Sequence, residues 1–578
     1  MSTERRAAER PTIRINQVGY LPGRPMVATW VSETEPARGF EVRDASGVVV
    51  FSGRTQPWRH SDPSSGLAVH RLDFSGLEAR GAGFRVIVGE EQSHPFAIAD
   101  DLYAGLRTDA LRFFWLMRSG FAIDDAAAPG YGRPAGHLGR PPNQGDTAVG
   151  AWTGPDADRL YPGWRSPGVF DVSGGWYDAG DYGKYVTSAA IAVWQLLSSV
   201  ELLAGTEVPA AELAAAVRDE ARWELDWLLR MQVPEGELAG MAFHRVHGTE
   251  WSPLPGWPHE DPTLRVLHRP STGATLHLAA AAAHGSRLFR GVDPAYADRL
   301  LVAARLAHTA ATRHPGLIAP DDHAQFGGGP YGDDDLADDR YWAATELWLA
   351  TGEDQYRDEL LASDLHDADA FPDDGFDFDR VAGPARLDLA RSGYALPDHA
   401  QVCASVRVAA DRLLGLQAAQ PWGQPYAPTG GWDWGSNGRI LNNLVVLASA
   451  HLLTGDERFG DAAAGGMDYV FGRNALGQSY VTGYGTDFSR HQRTRQFGHA
   501  LDPTFPSPPP GALAGGANAR PAPDFPYDPR LVGLPSQCCY LDVPTSEVTN
   551  DICVRWNAPL VWMATYLTVA AGMSRCQD

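Results

Sequence analysis

Two short strings in this chain end one apolar helical run and begin the next: LATGEDQY at 349–356 and LLTGDERF at 452–459. A looser version, LLAGTEVP, covers 202–209. In each string a glycine follows the last apolar residues, and an acidic residue or a threonine comes next. Glycine just beyond a helix and acidic residues in a first turn are stop and start signals. The pattern therefore predicts repeated hairpins of two helices joined by tight connections.

The predicted helices are of two kinds. The segments 189–203 and 440–453 are apolar nearly all round, whereas 211–229 carries Glu, Arg and Asp along one face. A helix that is apolar on every side is buried, and an amphipathic helix lies outside. We therefore expect a mainly α domain with an inner and an outer layer of helices, an α/α toroid whose long loops at one end form a site.

The N-terminal part of the chain has a different pattern. Between residues 12 and 98, short runs such as TIRINQVGY and MVATWVS alternate with Gly, Pro, Asp and Ser. Five or more strands at this spacing predict a small β-sandwich. The character changes between Phe96 and Leu102. We place the sandwich at residues 10–98 and the helical domain at residues 99–578.

Charge and hydropathy exclude some classes of partner. The 578 residues include 48 Lys and Arg against 71 Asp and Glu, and the net charge of −23 argues against a nucleic-acid partner. No run of about 18 apolar residues occurs, so we predict no membrane partner. The opening MSTERRAAERPTIRINQVGYL lacks the apolar run of a secretory signal. We expect a cytoplasmic protein, with a secreted mature form as the open alternative.

Cysteine and aromatic content add two expectations. Five cysteines, with Cys538 and Cys539 adjacent, give neither a disulfide framework nor a CxxC metal site, so we expect reduced thiols. The 18 Trp and 19 Tyr are many for this length. Exposed aromatic faces are surfaces on which sugar rings stack, although helical cores also use Trp.

The segment richest in reactive groups is DVSGGWYDAGDYGKYV at 171–186. Asp178 and Asp181 stand three apart just before a helical run, a spacing that predicts both carboxylates on one side of a helical turn. Two like charges repel, and a water or a metal held between them is a usual reason to keep both. The alternative is a helix start with an N-cap Asp.

Three other segments carry candidate groups. SYVTGYGTDFSRHQR delivers His491 and Arg493 in a Gly-rich stretch, where their donors suit sugar hydroxyls; the alternative is a basic surface loop. YLDVPTSEVTNDICVRWN offers Asp542, Glu547 and Asp551 as carboxylates, and the segment alone does not choose among them.

The third segment, GPYGDDDLADDRYWAATEL at 329–347, has five Asp within seven residues. Oxygen ligands of this kind bind Ca²⁺. The spacing is not that of an EF-hand, and a helix N-terminus also favours acidic residues.

In their order along the chain, these segments resemble glycoside hydrolase family 9, the inverting cellulase family with an (α/α)6 barrel. IRINQVGYLP is similar to the start of the family's immunoglobulin-like module, and WDWGSNGRILNN and DYVFGRNALGQSYVTGYG resemble barrel segments. The resemblance covers nearly the whole chain. It implies a mainly α fold, an (α/α)6-barrel catalytic domain preceded by a small immunoglobulin-like β-sandwich.

The resemblance also implies roles for the acidic residues. Asp181 becomes the general base for the attacking water, and Asp178 helps to hold that water. The family's general acid is the Glu of an Asn-Glu pair, six residues before the Asn of WNAPL, and that position here is Asp551. The Asp carboxyl is withdrawn by about 1.5 Å, and misplacement by about 1 Å costs about a hundredfold in rate. Glu547 is the alternative acid, at a position commonly aromatic in the family.

For the substrate, His491 and Arg493 match the His-x-Arg that holds the sugar next to the cleavage point. Trp434, in WDWGSN, stands where relatives stack a glucosyl ring. An oligosaccharide is the implied partner, and the oligomeric state stays undetermined.

Metal requirements follow from the same resemblance. Many relatives with the immunoglobulin-like module bind structural zinc near the barrel start through two Cys and two His. Here Ser119, Gly136 and Tyr177 stand at expected ligand positions, and only His137 remains. One ligand cannot hold tetrahedral zinc, so we predict that the zinc site is lost. Catalysis should need no cofactor, and structural calcium in an acidic loop is possible.

The leading hypothesis is an inverting glycoside hydrolase that cleaves β-1,4-linked gluco-oligosaccharides of the cellodextrin type. Without an export signal it would meet only short imported chains, so we expect exo action or action on short chains. An exo-β-glucosaminidase acting on chitosan oligomers is the alternative within this class, because the site is acidic. The other alternative is a non-hydrolytic sugar-binding relative, because Asp551 replaces the acid Glu.

Overall fold

The computed structural model describes residues 10–34, 36–58, 61–165, 168–203, 208–321, 326–394, 396–522 and 524–573. The strands are β1 (Ile13–Arg14), β2 (Gly19–Tyr20), β3 (Val27–Val31), β4 (Gly39–Arg43), β5 (Val49–Arg54), β6 (Gln56–Pro57), β7 (Val69–Asp73), β8 (Gly81–Val88), β9 (Glu91–Gln92), β10 (Phe96–Ile98), β11 (Val149–Gly150), β12 (Val169–Phe170), β13 (Lys184–Tyr185), β14 (Ala242–Phe243), β15 (Arg245–Gly248), β16 (Arg265–Leu267) and β17 (Pro270–Ser271).

The helices are α1 (Ala104–Leu116), α2 (Pro155–Leu160), α3 (Val186–Leu202), α4 (Val208–Arg230), α5 (Thr272–Phe289), α6 (Pro294–Arg313), α7 (Ala337–Thr351), α8 (Asp354–Leu361), α9 (Ala382–Arg391), α10 (His399–Ala418), α11 (Ser436–Thr454), α12 (Glu457–Val470), α13 (Glu547–Asn550) and α14 (Val554–Met573). Short 3-10 turns cover Asp364–His366, Pro529–Leu531 and Ser536–Cys538.

The N-terminal strands form two sheets that pack face to face. One sheet has the order β1-β3-β7-β6, and the other has the order β2-β10-β8-β4-β5 with β9 beside β8. Apolar side chains from both sheets, among them Trp30, Phe40, Phe84 and Phe96, are buried between them. This confirms the predicted β-sandwich.

The helices form two layers, as their apolar patterns predicted. α3, α5, α7, α9, α11 and α14 make an inner ring in which each helix contacts the next and α14 closes the ring against α3. α1, α4, α6, α8, α10 and α12 pack outside them. In the part of the chain described, this is the expected (α/α)6 barrel. None of its helices combines the length and apolar character needed to cross a membrane.

Two of the three predicted helix connections are confirmed. α7 and α11 each end at a glycine in the left-handed conformation, with φ of 70° at Gly352 and 67° at Gly455. The next helices begin within two residues, at Asp354 and Glu457. In the third string, LLAGTEVP, residues 204–207 lie outside the described residues.

The sandwich contacts the loop that leads to the predicted His-x-Arg segment. The side-chain oxygen of Gln17 accepts hydrogen bonds from the backbone N–H groups of Thr486 and Asp487, at 2.9 and 2.8 Å. Arg10 forms an ion pair of 2.9 Å with the Asp487 carboxylate. The N-terminal domain therefore holds one of the loops at the open end of the barrel.

Candidate active site

A cavity of about 50 Å³ lies where the amino ends of inner helices α3, α7, α11 and α14 meet. It brings together five residues that the sequence analysis named: Asp181, Trp434, Arg493, Glu547 and Asp551. Five further large side chains line it, namely Tyr185, Trp251, Tyr331, Arg495 and Phe525. Carboxylates, arginines and aromatic rings therefore share one small space.

Asp181 lies in a loop, so the prediction that it shares a helical turn with Asp178 is wrong. Gly180 contacts the carbonyl oxygen of Arg493 so closely that a Cβ at this position would clash. Lys184 and Tyr185 then pair with β15, and α3 begins only afterwards. Strand pairing and the close approach of two loops thus override the helical spacing.

The hydrogen bonds of Asp181 leave one oxygen available. Its Oδ2 accepts the backbone N–H of Gly183 at 2.9 Å and the hydroxyl of Tyr185 at 3.2 Å. No described residue donates to its Oδ1. A carboxylate with one free oxygen at a cavity wall can accept a proton from a water molecule.

Asp178 is buried beside the cavity and does not line it. Its carboxylate accepts hydrogen bonds from the hydroxyls of Ser188 and Tyr331 and from the Cys553 thiol. Burial raises the pKa of Asp178 to about 6, against the lowering effect of the two hydroxyls. Its link to the cavity runs through Tyr331, whose hydroxyl is 2.6 Å from Oδ2.

Asp551 follows α13 and lies against the Asp181 loop. Its Oδ1 accepts two backbone N–H groups, from Gly180 at 3.1 Å and from Ile552 at 2.9 Å. Within the described residues its Oδ2 has no donor. Burial, and after it the negative charge of Glu547, raises the pKa of Asp551 well above its usual range. The group is therefore suited to carry a proton.

Glu547 enters the cavity from one turn before Asp551. Its Oε2 lies 3.0 Å from Nη2 of Arg493, and both side chains are largely buried. Burial raises the pKa of Glu547, and the Arg493 charge opposes that rise. A guanidinium at this distance favours the carboxylate form of its partner.

His491 and Arg493 have different surroundings although one residue separates them. Arg493 lines the cavity, whereas His491 is not among the lining residues. The backbone N–H of His491 donates to Asp542 at 2.9 Å, and its Nδ1 lies 3.4 Å from the same carboxylate. Asn550 ties both residues to α13: its side chain donates to the His491 carbonyl, and its carbonyl accepts from Arg493 N–H.

Three aromatic rings from separate loops converge at the cavity. The ring of Phe525 packs edge-on to Trp434, with centroids 4.8 Å apart, and lies 6.2 Å from Trp251. The indole N–H of Trp434 is buried and has no acceptor among the described residues. A ring face with an unpaired N–H beside it is suited to a sugar, which offers both a face and hydroxyl acceptors.

Sequence reasoning missed several lining residues, of which Arg495 is the most informative. Its guanidinium donates to the carbonyl of Gly180 at 2.9 Å and to that of Ser252 at 3.0 Å. It thereby joins the loop of Asp181 to the loop of Trp251. The alternation of 491, 493 and 495 in HQRTR was a signal that could have found it. No local signal marks Trp251 or Phe525.

Residues at the zinc position that the resemblance implies form a hydrogen-bonded group. Nδ1 of His137 lies 2.7 Å from the Tyr177 hydroxyl, and its Nε2 lies 3.2 Å from the Asp261 carboxylate. Burial lowers the pKa of His137. One imidazole with both nitrogens engaged does not fit tetrahedral zinc. The loss of zinc therefore stays a prediction that the donor set supports.

The acidic run before α7 forms a cluster that could hold a cation. Ligand oxygens of Asp333, Asp338 and Asp339 all lie within 4.8 Å of one another. One oxygen of each carboxylate is buried without a hydrogen-bond donor among the described residues. Asp338 and Asp339 also stand in the first turn of α7, the alternative that the sequence offered.

A second cluster lies inside the barrel and is already neutralised. His284, Glu346 and Asp388 offer ligand atoms within 4.8 Å of one another. Arg391 lies 2.5 Å from Asp388, and Arg287 lies 3.5 Å from it. The cationic partners make this group a buried ion-pair network rather than a metal site.

Comparison with known proteins agrees with the architecture. The family described as Glycosyl hydrolase family 9 matches residues 103–564, and the Cellulase N-terminal ig-like domain matches residues 8–93. The match confirms the immunoglobulin-like character predicted for the sandwich.

Curated relatives cover nearly the whole chain. Endoglucanase C of Cellulomonas fimi is 49% identical over 96% of this chain, and a cellulose 1,4-beta-cellobiosidase of Acetivibrio thermocellus is 37% identical over 96%. The chain covers 52% and 67% of these two proteins, so it spans about half the length of the first. A cellodextrinase of Butyrivibrio fibrisolvens is 28% identical, with 95% of this chain and 98% of that protein covered.

Solved structures of similar fold point to the same family. A GH9 protein of Bacteroides ovatus superposes with a TM-score of 0.82 at 27% identity, covering 97% of this chain and 99% of its own. A mutant of the thermostable endoglucanase from Alicyclobacillus acidocaldarius has a TM-score of 0.80, also at 27% identity, covering 96% and 99%. With the barrel, the sandwich and the cavity in place, the chain belongs to glycosyl hydrolase family 9.

Proposed function

We propose that the chain is an inverting glycosidase that hydrolyses β-1,4-linked gluco-oligosaccharides from a chain end or in short chains. The observation that carries the proposal is the shared cavity, in which the Asp181 and Asp551 carboxyls face aromatic rings and Arg493. Family membership and relatives named endoglucanase, cellobiosidase and cellodextrinase support the substrate class.

The two carboxyl groups suit the two proton transfers of an inverting reaction. One carboxylate takes a proton from the attacking water, and one carboxylic acid protonates the leaving oxygen on the other face of the sugar. Asp181, with a free Oδ1, is assigned as the base. Asp551, whose burial favours the protonated form, is assigned as the acid with the proton on Oδ2. Asp178 acts on the cavity through the Tyr331 hydroxyl.

The narrowness of the cavity supports action at chain ends. Its volume of about 50 Å³ is far below the roughly 300–1,000 Å³ of ordinary ligand sites. Trp251, Trp434 and Phe525 close around it, so a sugar must part these rings as it enters. A chain end or a short oligosaccharide needs less displacement than the middle of a polymer.

The cavity gives less support to a glucosaminidase. That alternative needs a carboxylate for the substrate amine, and Glu547 was the extra acidic group available. Glu547 is already paired with Arg493 at 3.0 Å. We therefore favour chains of glucose units over chains of glucosamine as the substrate.

Proton NMR of the purified chain with cellotetraose, cellohexaose and, separately, chitosan oligomers tests the proposal. We expect the α-anomer at each new reducing end of the gluco-oligosaccharides, before mutarotation. Cellohexaose should release one short product from the first turnovers. Initial β-anomer would contradict inversion, and binding without any product would favour the non-hydrolytic alternative. Cleavage of the chitosan oligomers alone would favour the glucosaminidase.

For the acidic cluster we propose a structural calcium ion. Oxygens bound to one Ca²⁺ at about 2.3–2.6 Å lie no more than about 5 Å apart, and the three carboxylates meet this limit. Buried carboxylate oxygens without donors are costly, and a cation would satisfy them. Asp333, Asp338 and Asp339 would hold the ion, which would join the loop before α7 to the helix itself.

Removal of calcium is expected to lower the melting temperature. A ligand present at about a hundred times its Kd stabilises the folded state by about 2.7 kcal/mol, which corresponds to about two to three degrees in a protein of this size. Differential scanning calorimetry in 1 mM CaCl₂ and after chelation measures the difference. The Asp338→Asn/Asp339→Asn variant should show the same melting temperature in both buffers. Equal melting temperatures for the unaltered chain would count against the site.

A further inference from the structure

Glu547 is the one cavity carboxylate that the family pattern does not explain. The resemblance to the family implies an aromatic residue at this position, and it implies Glu where this chain has Asp551. The two departures lie one helical turn apart and face the same cavity. Their proximity suggests that they work together.

The largest charge effects on the pair come from each other and from two neighbouring loops. Asp551 is faced by Glu547, by Arg493 from the adjoining loop and by Asp181 from the loop before α3. Glu547 is faced by Arg493, Arg495 and Asp181. Arg493 directs its guanidinium to Glu547 at 3.0 Å, and its contact with Asp551 is a backbone pairing.

We propose that Glu547, held as an anion by Arg493, is a positioning residue that keeps the proton on Asp551 and so adapts the site to an aspartic acid as proton donor. The inference rests on the proposed function, because it takes Asp551 as the general acid. It also connects the two departures from the family pattern, because Glu547 would compensate for Asp in place of Glu at position 551.

The negative charge of Glu547 favours the protonated form of Asp551. A nearby negative charge disfavours ionisation of a second carboxyl, and burial strengthens the effect. Glu547 adds to the burial that already raises the pKa of Asp551, whereas Arg493 opposes it. The Arg493 guanidinium is paired with Glu547 at 3.0 Å, so its positive charge is shared between the two carboxyl groups.

The same geometry favours Asp551 over Glu547 as the proton donor, although burial raises the pKa of both carboxyls. A general acid must carry a proton when the substrate binds. The guanidinium 3.0 Å from Oε2 stabilises the form of Glu547 without that proton. Asp551, by contrast, has two backbone N–H donors on Oδ1 and an Oδ2 without a described donor.

The test is the pH dependence of kcat/KM for cellotetraose in Glu547→Gln. The alkaline limb reports loss of the proton from the general acid. Without the Glu547 charge the pKa of Asp551 falls, so this limb should move to lower pH by about one unit. At a pH above this limb, kcat/KM of Glu547→Gln should be about tenfold below that of the unaltered chain. On the acidic side of the profile kcat/KM should change little. Glu547→Asp keeps the negative charge, so its alkaline limb should lie close to that of the unaltered chain.

A second substrate separates the possible roles. A dinitrophenyl cellooligosaccharide has a leaving group that needs no proton, so the loss of activity in Glu547→Gln on this substrate should be no larger at alkaline pH than at acidic pH. An alkaline limb that does not move in Glu547→Gln, in protein with an unchanged melting temperature, would overturn the inference. Loss of cellotetraose hydrolysis at every pH, with the aryl substrate still cleaved, would also overturn it by making Glu547 the acid.

A different result is expected if Asp551 is not the general acid. If Asp551→Asn kept the turnover of the unaltered chain on cellotetraose, Asp551 would not be the acid. That result would remove the proposed mechanism itself, whatever Glu547→Gln does. Asp551→Asn therefore tests whether Asp551 is the general acid, and Glu547→Gln tests whether Glu547 keeps the proton on it.

Discussion

Replacement of Asp181 by Asn is expected to lower kcat for cellotetraose by about a hundredfold to ten-thousandfold, the contribution typical of a general base. An amide cannot take the proton from the attacking water. It can still accept hydrogen bonds from Gly183 N–H and the Tyr185 hydroxyl, as Oδ2 of Asp181 does. The loop should therefore keep its shape while the reaction stops. Initial rates of cellotetraose hydrolysis measure the effect.

Asp171→Asn is the matched control for this variant. Asp171 lies in the same segment, is exposed and does not line the cavity, so its loss should leave kcat within about twofold. Calorimetry should show that Asp181→Asn binds cellotetraose with nearly unchanged affinity and melts at the same temperature. Turnover that survives in a folded Asp181→Asn protein would exclude Asp181 as the base.

The layered barrel was predictable because its causes are local. Apolar periodicity over a helix length decides which helices are buried, and a glycine with left-handed φ ends α7 and α11 where the sequence placed it. The strands of the sandwich were predictable for the same reason. Alternation and turn residues are properties of neighbouring positions.

The surroundings of Asp178 were not predictable from spacing. Its carboxylate is satisfied by Ser188, Tyr331 and Cys553, which come from three different segments. The helical spacing of the Asp pair was a local signal, and it failed because Gly180 must pass close to Arg493. Long-range contacts decide such a loop, and one sequence contains no record of them.

The meeting of three aromatic rings at the cavity was not predictable from local sequence either. Trp251, Trp434 and Phe525 lie far apart in sequence and meet only when three loops fold together. Trp434 was found through the resemblance to the family and not through its local sequence. Trp251 and Phe525 belong to loops whose composition resembles any other Pro- and Gly-containing connection. Local sequence cannot tell an aromatic ring at a site from one in a core.

Replacement of Asp551 by Asn carries the second large expectation. On cellotetraose, whose leaving group is a poorly stabilised alkoxide, loss of the proton donor should cost about a hundredfold to ten-thousandfold in kcat. On a dinitrophenyl cellooligosaccharide the cost should be less than about tenfold, because that leaving group departs without a proton. The alkaline limb of the cellotetraose profile should disappear with the acid. Stopped assays on both substrates across pH 4–9 measure all three effects.

Asp551→Glu decides whether the role is chemical or structural. It keeps a carboxylic acid and adds one methylene, so it should retain far more activity on cellotetraose than Asp551→Asn, even where the longer side chain disturbs the hydrogen bonds to Gly180 and Ile552 N–H. Equal losses on both substrates in Asp551→Asn would instead indicate a structural role, since a missing proton donor matters only where the leaving group needs one. In that case Glu547, the other carboxyl in the same cavity, becomes the group to replace.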